Sequence, residues 1–523
     1  MEITFLGHAG FLVETSQSIL IMDPWLSENG AFDGGWFQFP RNHHMKDFVE
    51  ARLTQNNNVK VVYVYVSHEH KDHYDLAYLK SIDHFKFTYL IPKYRRSVLL
   101  DQIKSASRNE IISCEDGQVF KLNNNESIKI YSEDSELNRD SAILFISGEK
   151  KFLNLNDCKI HDRLVTIKEQ EGHIDVFAAQ FSGATWHPTC YDYPIEVYEK
   201  ISKKKKLSKF EATAIAIENV KPEIYIPSAG PACFIDPDLI HINFQKENIF
   251  PRNEQLISYL AKRLKKTSTI VPNIMPGDSI TFVPQASFNE KGSVRINETN
   301  FEEYILDYAK SYKVFFDEIK KPLPDEDFKK LIECLIIEFK EKLSNFSSRS
   351  QINRPLFIKF LDRSGPHIKI SFEDNSVELT DAPQTENFYL INVNSYDIKR
   401  VLDGYLTWED YSLTFRMRLN REPDVYQVLM QGFLILEKED MNYFCDSILE
   451  IENRTERIVV EVGGCKYKVD RYCPHQGADL TYAWKEGDKF LVCPRHRWAF
   501  NLENGGVCSE NGASINAIPL EPD

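Results

Sequence analysis

At 523 residues the chain is far longer than one hydrophobic core usually covers, and with 42% hydrophobic residues it can fill two or three. A formal charge of −15, from 63 basic against 78 acidic residues, excludes a general nucleic-acid binder, which needs a concentrated basic surface. Ten scattered cysteines, a start (MEITFLGHAGFLVE) with neither basic leader nor small-residue cleavage site, and no apolar run near the roughly eighteen residues of a membrane span predict reduced thiols in a cytoplasmic, membrane-free protein.

From residue 1 to about 290 the chain alternates short β-type runs with polar loops: ITFLGHAGFLVE, SILIMDPW, VKVVYVYVSH, KFTYLIP, SIKIYS, SAILFIS, KFLNLND, IDVFAAQFSG, PEIYIPSAG and DSITFVP. Helical stretches such as DLAYLKSI and the segment around 192–219 lie between them, which predicts a layered α/β domain. The basic run KKKK at 203–206 reads as a solvated helix face.

Straight after the apolar strand VVYVYVS come His68, His70, Asp72 and His73. Imidazoles and a carboxylate on one post-strand loop are the means of building a compact site for one or two divalent metals; an exposed histidine-rich loop without metal is the bland alternative.

Beyond about 295 the pattern turns helical. In DEDFKKLIECLIIEFKEKLSNF, Phe328, Leu331, Leu335, Phe339 and Leu343 recur at helical spacing, with Asp325 placed as an N-cap after Pro324. HIKISF and SVELTD form a hairpin-like pair around EDN, and VLDGYLTWEDYSLTFRMRL reads as a further helical region whose Tyr405, Trp408 and Tyr411 are packing residues. No chemical motif falls in this stretch.

The last seventy or so residues return to short strands and Gly-rich turns, a unit with little core of its own, for which an inorganic staple is plausible. Two phrases there, CPHQGADL and CPRHRWAF, supply Cys473 with His475 and Cys493 with His496, seventeen residues separating the pairs. One cysteine and one histidine from each loop suit a cluster of two irons and two sulfides, with both thiolates on one iron and both imidazoles on the other; a zinc staple is the alternative.

Over roughly residues 455–523 this C-x-H-x17-C-x2-H segment resembles a Rieske ferredoxin domain. The resemblance implies that Cys473 and Cys493 hold the buried iron of a [2Fe-2S] cluster, and His475 and His496 the outer one. Respiratory Rieske domains carry an extra cysteine in each loop and hydroxyl donors to the cluster. Here Gln476 to Leu480 include no cysteine, Arg495 stands inside the second pair, and Trp498 and Phe500 replace the hydroxyl donors. Fewer hydrogen bonds to sulfur lower the potential, so the cluster looks like a donor to an oxygenase, reached through exposed His475 or His496.

The head resembles the metallo-β-lactamase superfamily. LGHAGFLVE, IMDPWL, GAFDGGWFQFP, SHEHKDHYD, LNLND and PSAGP appear in the order of the branch that contains lactonase-like hydrolases and CMP-N-acetylneuraminate hydroxylases. The resemblance implies that His68 and His70 help bind one metal and Asp72 and His73 another, with Asp157 between them. A histidine usual before SAILFIS is missing, leaving Asp140 or Asp134 as substitutes; Asp236 stands in for a final histidine, and His8 and His187 are further candidates for the pocket, with a packing role as the alternative for each.

The expected architecture is multidomain α/β plus β: a metallo-β-lactamase-like αββα sandwich over 1–290, a helical α+β domain over 291–452 and an all-β Rieske domain over 453–523. A hydrolytic metal needs no electrons, whereas O₂-activating iron takes them one at a time. The two resemblances together therefore imply a Rieske-dependent non-haem iron monooxygenase with one or two irons in the head, acting on a small polar molecule such as a sugar nucleotide. The hydroxylases carry their Rieske unit at the N-terminus, so this chain would be a relative with rearranged domains. No dinucleotide fingerprint or flavin segment is present, which calls for an external reductase or ferredoxin, and a homo-oligomer is compatible with electron transfer between chains. A lactonase or phosphodiesterase type hydrolase using zinc or manganese, with a redox-sensing cluster, is the alternative; a plain electron carrier is a third reading.

Overall fold

Strands with both faces buried read as unbroken apolar runs, and the head is built from such strands. A computed structural model describes every residue except 184, 283, 384, 385, 522 and 523. One sheet has eight strands in the spatial order Ala286–Asn289, Ser279–Phe282, Glu2–Gly7, Gly10–Glu14, Ser18–Met22, Val61–Tyr65, Thr88–Pro92 and Glu110–Cys114. The last four run parallel, so their C-terminal ends share one rim. A second sheet of six strands runs Ile224–Ser228, Val176–Gln180, Lys150–Asn154, Asn138–Ser147, Glu126–Ser135 and Val119–Lys121.

Side chains alternate across these strands, and the alternation sorts the core into layers. Leu20 and Met22 point between the sheets, where they join Phe11, Tyr65, Phe145 and Phe152. Their neighbours Ile19 and Ile21 face outward onto Val49, Tyr78, Leu79 and Leu99 of the helices Met45–Asn56, Leu76–Ile82 and Val98–Ala106. On the other sheet, Leu144, Leu153 and Phe177 pack against helices Leu164–Glu171, Ile195–Val220 and Asn253–Arg263. The result is the expected helix, sheet, sheet, helix sandwich. KKKK lies on the helix Ile195–Val220, with Lys203 and Lys204 exposed and Lys206 paired to Glu247.

By its internal contacts the chain divides into two units. The first comprises residues 1–134, 138–184 and 196–311; the second comprises 135–137, 185–195 and 312–523. Helix Phe301–Ser311 belongs to the first, where Phe301 and Tyr308 meet Phe39 and Phe37 edge-on.

The second unit contains a five-stranded sheet, ordered Ser376–Thr380, His367–Ser371, Leu356–Phe360, Phe388–Val393 and Arg418–Glu422. The hairpin expected from HIKISF and SVELTD is its outer pair. Helix Asp325–Ser344 buries Leu331, Leu335, Phe339 and Leu343 as the periodicity predicts; Asp325 is its first turn rather than its cap, a place where a carboxylate meets the positive end of the helix dipole. VLDGYLTWEDYSLTFRMRL is helical only in part. After helices Ser395–Leu402 and Trp408–Leu413 its end becomes the edge strand Arg418–Glu422. Of its three aromatics Trp408 and Tyr411 are buried, but Tyr405 is exposed.

Residues 185–195 are built onto that edge. Tyr191 bridges Leu419 in parallel, the Leu419 amide donates to the Cys190 carbonyl at 2.7 Å, and the Asp192 amide donates to the Leu419 carbonyl at 3.3 Å. Arg418 then grips the arm, donating to the Thr189 carbonyl at 3.0 Å and the Asp192 carboxylate at 2.7 Å.

The tail has two small antiparallel sheets. One is ordered Arg457–Val462, Cys465–Asp470, Ile518–Pro519; the other Trp484–Glu486, Phe490–Val492, Ala499–Asn501, Val507–Cys508. Their shared core is thirteen buried residues, among them Val469, Leu491, Phe500, Ile515, Cys473 and Cys493, which is small for an independent unit.

One buried charge in the second unit stands out. Lys342 is fully buried on helix Asp325–Ser344 with Nζ 4.7 Å from the Trp408 ring centroid and 5.5 Å from that of Phe433, and it has no hydrogen-bond partner among the described residues. Burial pushes its pKa down to about 8, against the pull of Glu437 and Glu338. Below that pH the folded state carries the ammonium at full desolvation cost; between there and the unfolded value of about 10.4 the folded state has shed a proton that the unfolded state keeps, so stability climbs with pH. Lys342→Met is expected to raise the thermal midpoint of this unit at pH 7, with a gain that narrows toward pH 10, read by tryptophan fluorescence.

Candidate metal and cluster sites

The histidine loop leaves the end of strand Val61–Tyr65 at the rim formed by the parallel strands, and a neighbouring carboxylate fixes it. Asp23, fully buried one residue past strand Ser18–Met22, accepts the Ser67 amide at 2.8 Å and the Ser67 hydroxyl at 2.6 Å. Its Oδ2 also lies 2.8 Å from His73 Nδ1. With Nδ1 held there, His73 Nε2 is turned the other way, 3.8 Å from Asp72 Oδ2 and 3.6 Å from Asp157 Oδ1.

Asp72 is placed by a second long-range partner, His8 Nε2 at 3.1 Å, and the Trp25 ring stands edge-on to His8 at 5.2 Å. His8, Asp72 and His73 form a close-set group whose donor atoms lie within 4.8 Å of one another. His73 Nε2, Asp72 Oδ1 and Asp157 Oδ1 are buried and have no hydrogen-bond partner among the described residues. Buried polar atoms are normally satisfied, so three unsatisfied atoms on neighbouring side chains, two of them 3.6 Å apart, fit a bound cation. Burial opposes a charge on His73, yet Asp72 and Asp157 hold its pKa well above the usual imidazole range. Carboxylates that draw a proton onto a buried ring in this way would attract a metal ion equally.

His68 and His70 meet on the same loop, with His68 Nε2 2.9 Å from His70 Nδ1. That separation suits a hydrogen bond, and it also suits adjacent ligands of one ion at metal–nitrogen distances of about 2.1 Å. Burial, followed by the neighbouring His73 and His70, pushes the His68 pKa well down and keeps its lone pair available. The opposite nitrogen, Nδ1, lies 2.9 Å from Ser67 Oγ and 3.2 Å from Asp140 Oδ1. Asp134 instead accepts the Arg95 amide at 2.7 Å.

Asp236 is fully buried and accepts the Asp238 amide at 3.0 Å; the close-set donor group does not include it. His187 lies in the second unit, with Nε2 3.0 Å from the Tyr193 hydroxyl. Sequence reasoning missed Asp23 and Ser67 as parts of this site. IMDPWL and the serine beginning SHEHKDHYD were visible, but nothing local said that they touch.

The two tail loops are conformational twins. The Cys473 amide donates to the Ala478 carbonyl and the Gly477 amide to the Cys473 carbonyl, both at 2.9 Å; the Cys493 amide donates to the Trp498 carbonyl at 2.9 Å and the Arg497 amide to the Cys493 carbonyl at 3.0 Å. The fourth residue after each cysteine is left-handed, Gly477 at φ +69° and Arg497 at φ +61°. This folding brings both thiols and both imidazoles together: the His475 and His496 ring centroids are 4.5 Å apart. Burial and a hydrogen bond with Cys493 push the Cys473 pKa well up. At Cys493 burial is outweighed by the bond from Cys473 and by the backbone amides of His496 and Arg495, which hold the thiol below its ordinary range. Amides aimed at sulfur fit thiolates that hold a cluster. His475 is only 7% exposed, because Trp498 stacks on it at 4.4 Å and 14°; the more open ligand is His496.

Comparison with known proteins finds likenesses in both the head and the tail. Residues 2–186 match the family model described as Beta-lactamase superfamily domain, and residues 420–517 match Rieske [2Fe-2S] domain. A protein of Mycolicibacterium smegmatis whose name carries the words Rieske 2Fe-2S iron-sulfur protein is 25% identical over 99% of this chain and 100% of its own length. The cytidine monophosphate-N-acetylneuraminic acid hydroxylase of Danio rerio is 23% identical over 82% of this chain and 70% of its own. Among solved structures, a metallo hydrolase from Ignicoccus hospitalis is 15% identical, covering 54% of this chain and 97% of its own, with a TM-score of 0.35. No helix among the described residues is long and apolar enough to cross a membrane.

Removing the Asp23 carboxylate frees His73 and Ser67 together. Asp23→Ala is expected to weaken metal retention in the head by about 10–100-fold while the visible spectrum of the tail cluster is unchanged, measured as metal content after dialysis against graded chelator.

Proposed function

We propose that this chain, which joins a β-lactamase-superfamily domain to a Rieske [2Fe-2S] domain, is a hydroxylase that inserts one atom of O₂ into a small polar substrate. The observation that carries the reading is the pairing, in one polypeptide, of a mixed cysteine and histidine cage with a separate buried group of imidazoles and carboxylates. Cys473, Cys493, His475 and His496 would hold the cluster. His68, His70, Asp72, His73 and Asp157 would hold one or two non-haem irons, with Asp236 as a further ligand. When bound, these groups supply single-electron transfer and O₂ activation, chemistry that a purely hydrolytic metal does not need.

The residues themselves have definable tasks. Asp23 keeps His73 Nε2 pointed at Asp72 and Asp157, and His8 holds Asp72 Oδ2, the oxygen 3.8 Å from His73 Nε2. Trp25 and Phe32, each 1% exposed, place apolar surface beside His8 and His70, which keeps bulk water from the donors. The Danio rerio relative acts on a cytidine monophosphate sugar by its name, and a sugar nucleotide is accordingly the first substrate class to try. The partners would be O₂, that substrate and an external reductase or ferredoxin.

Incubation with ¹⁸O₂, reductant and a reductase should place one labelled oxygen in a product seen by mass spectrometry, and the purified protein should hold about three to four irons per chain. His68→Ala should abolish the product while the visible and EPR signals of the cluster persist. The family description of the head favours hydrolysis as the second reading. Equal turnover without O₂ or reductant would decide for it.

A further inference from the structure

The two histidines of the tail cage have different surroundings. Trp498 lies flat on one face of His475, and the ring of Tyr426 meets the same imidazole edge-on, at 5.9 Å and 87°. Tyr426 also meets Trp498, at 6.0 Å and 79°, so the three rings close on one another. His496 is half-buried, follows Arg495 in the chain, and has its ring centroid 4.5 Å from that of His475.

Tyr426 is outside both tail sheets, between the edge strand Arg418–Glu422 and the helix Val428–Ile435. A stiff platform backs it. Tyr426 is half-buried; burial, followed by the charge of nearby Tyr389, pushes its pKa up while Arg421 opposes them. Arg421 donates to Asp424 at 2.7 Å and sits over the Tyr191 ring at 4.8 Å. The hydroxyls of Tyr389 and Tyr191 are 2.5 Å apart, and Asp424 accepts from the Tyr193 hydroxyl at 2.7 Å. Tyr191 and Tyr193 belong to the arm 185–195, so the residue that covers His475 rests on chain from the other half of the sequence.

We propose that Tyr426 is a positioning residue that, with Trp498, closes His475 off and leaves His496 as the ligand at which an external electron donor is met. The donor fitting that face is a one-electron carrier with an acidic surface, since the partly exposed Arg495 adjoins His496 in a chain whose overall charge is −15. His475 is then the inward ligand, turned to the tyrosine platform. The inference rests on the cluster assignment of the previous subsection; cluster absorbance reports that assignment separately from the measurements below.

The test labels the intact, cluster-loaded protein with diethyl pyrocarbonate and maps the modified histidines by mass spectrometry. Label at His496 and none at His475 is expected. Tyr426→Ala should add label at His475, and Tyr426→Phe, which keeps the ring, should restore protection. Tyr426→Ala should also raise the reduction potential. Two ferric irons, two sulfides and two thiolates sum to no charge, one added electron makes the cage negative, and water reaching His475 favours that charged form. Equal labelling of both histidines in the wild type overturns the asymmetry without any variant. Labelling and potential unchanged in Tyr426→Ala overturn the role of Tyr426. For the donor, Arg495→Gln should slow cluster reduction by an acidic ferredoxin and flatten its salt dependence; a rate and salt response equal to wild type overturn the assignment of that face.

Discussion

Asp23 makes its contacts where no water reaches it, and the arrangement of the head site follows from them. A buried carboxylate is costly unless its oxygens are filled, and here the Ser67 amide, the Ser67 hydroxyl and His73 Nδ1 fill them. Each bond has a geometric effect. The amide pins the first residue of the loop to the adjacent strand end, the hydroxyl brings Ser67 Oγ to His68 Nδ1, and the imidazole bond chooses which nitrogen of His73 faces the carboxylates. The Ser67 carbonyl is held as well, by the hydroxyls of Tyr94 and Ser141, so the loop is anchored on several sides before any ion arrives. Preorganisation of this kind lowers the cost of assembling a metal site.

The tail reaches preorganisation by another route. Its core is too small to enforce a cage by packing, and the two loops do so by repeating one backbone pattern. The left-handed fourth residue closes each turn; glycine takes that conformation without strain, whereas Arg497 does so against its preference. Amides then point at Cys493 from within its own loop. Sequence-local geometry therefore positions the sulfurs, while the environment of the imidazoles comes from farther away.

That contrast explains what could be read from the residues alone. The sandwich layers, the long helix Asp325–Ser344 and both His-bearing phrases were legible, because periodicity and short spacing are local properties. Asp23 meets Ser67 across 44 residues and His8 meets Asp72 across 64, distances over which no pattern carries information. The segment ending RMRL was read as helix because buried arginines blur the alternation of a strand: Arg416 and Arg421 are 6% and 7% exposed, beside the fully buried Leu419. His475 was expected at the surface, and what covers it, Tyr426, is a lone aromatic in a loop nearly fifty residues upstream.

The arm 185–195 bears on how the polypeptide can be dissected. Cutting after Ser311 looks natural, yet a fragment starting at Tyr312 would lack the stretch that covers Leu419 and grips Arg418. Its margin Arg418–Glu422 would become a naked β-edge open to self-association, and the footing under Tyr426 would be gone. The unit bearing the cysteine cage is consequently discontinuous, and co-expressing a 185–195 peptide with residues 312–523, or grafting it by a linker, would cover that edge again.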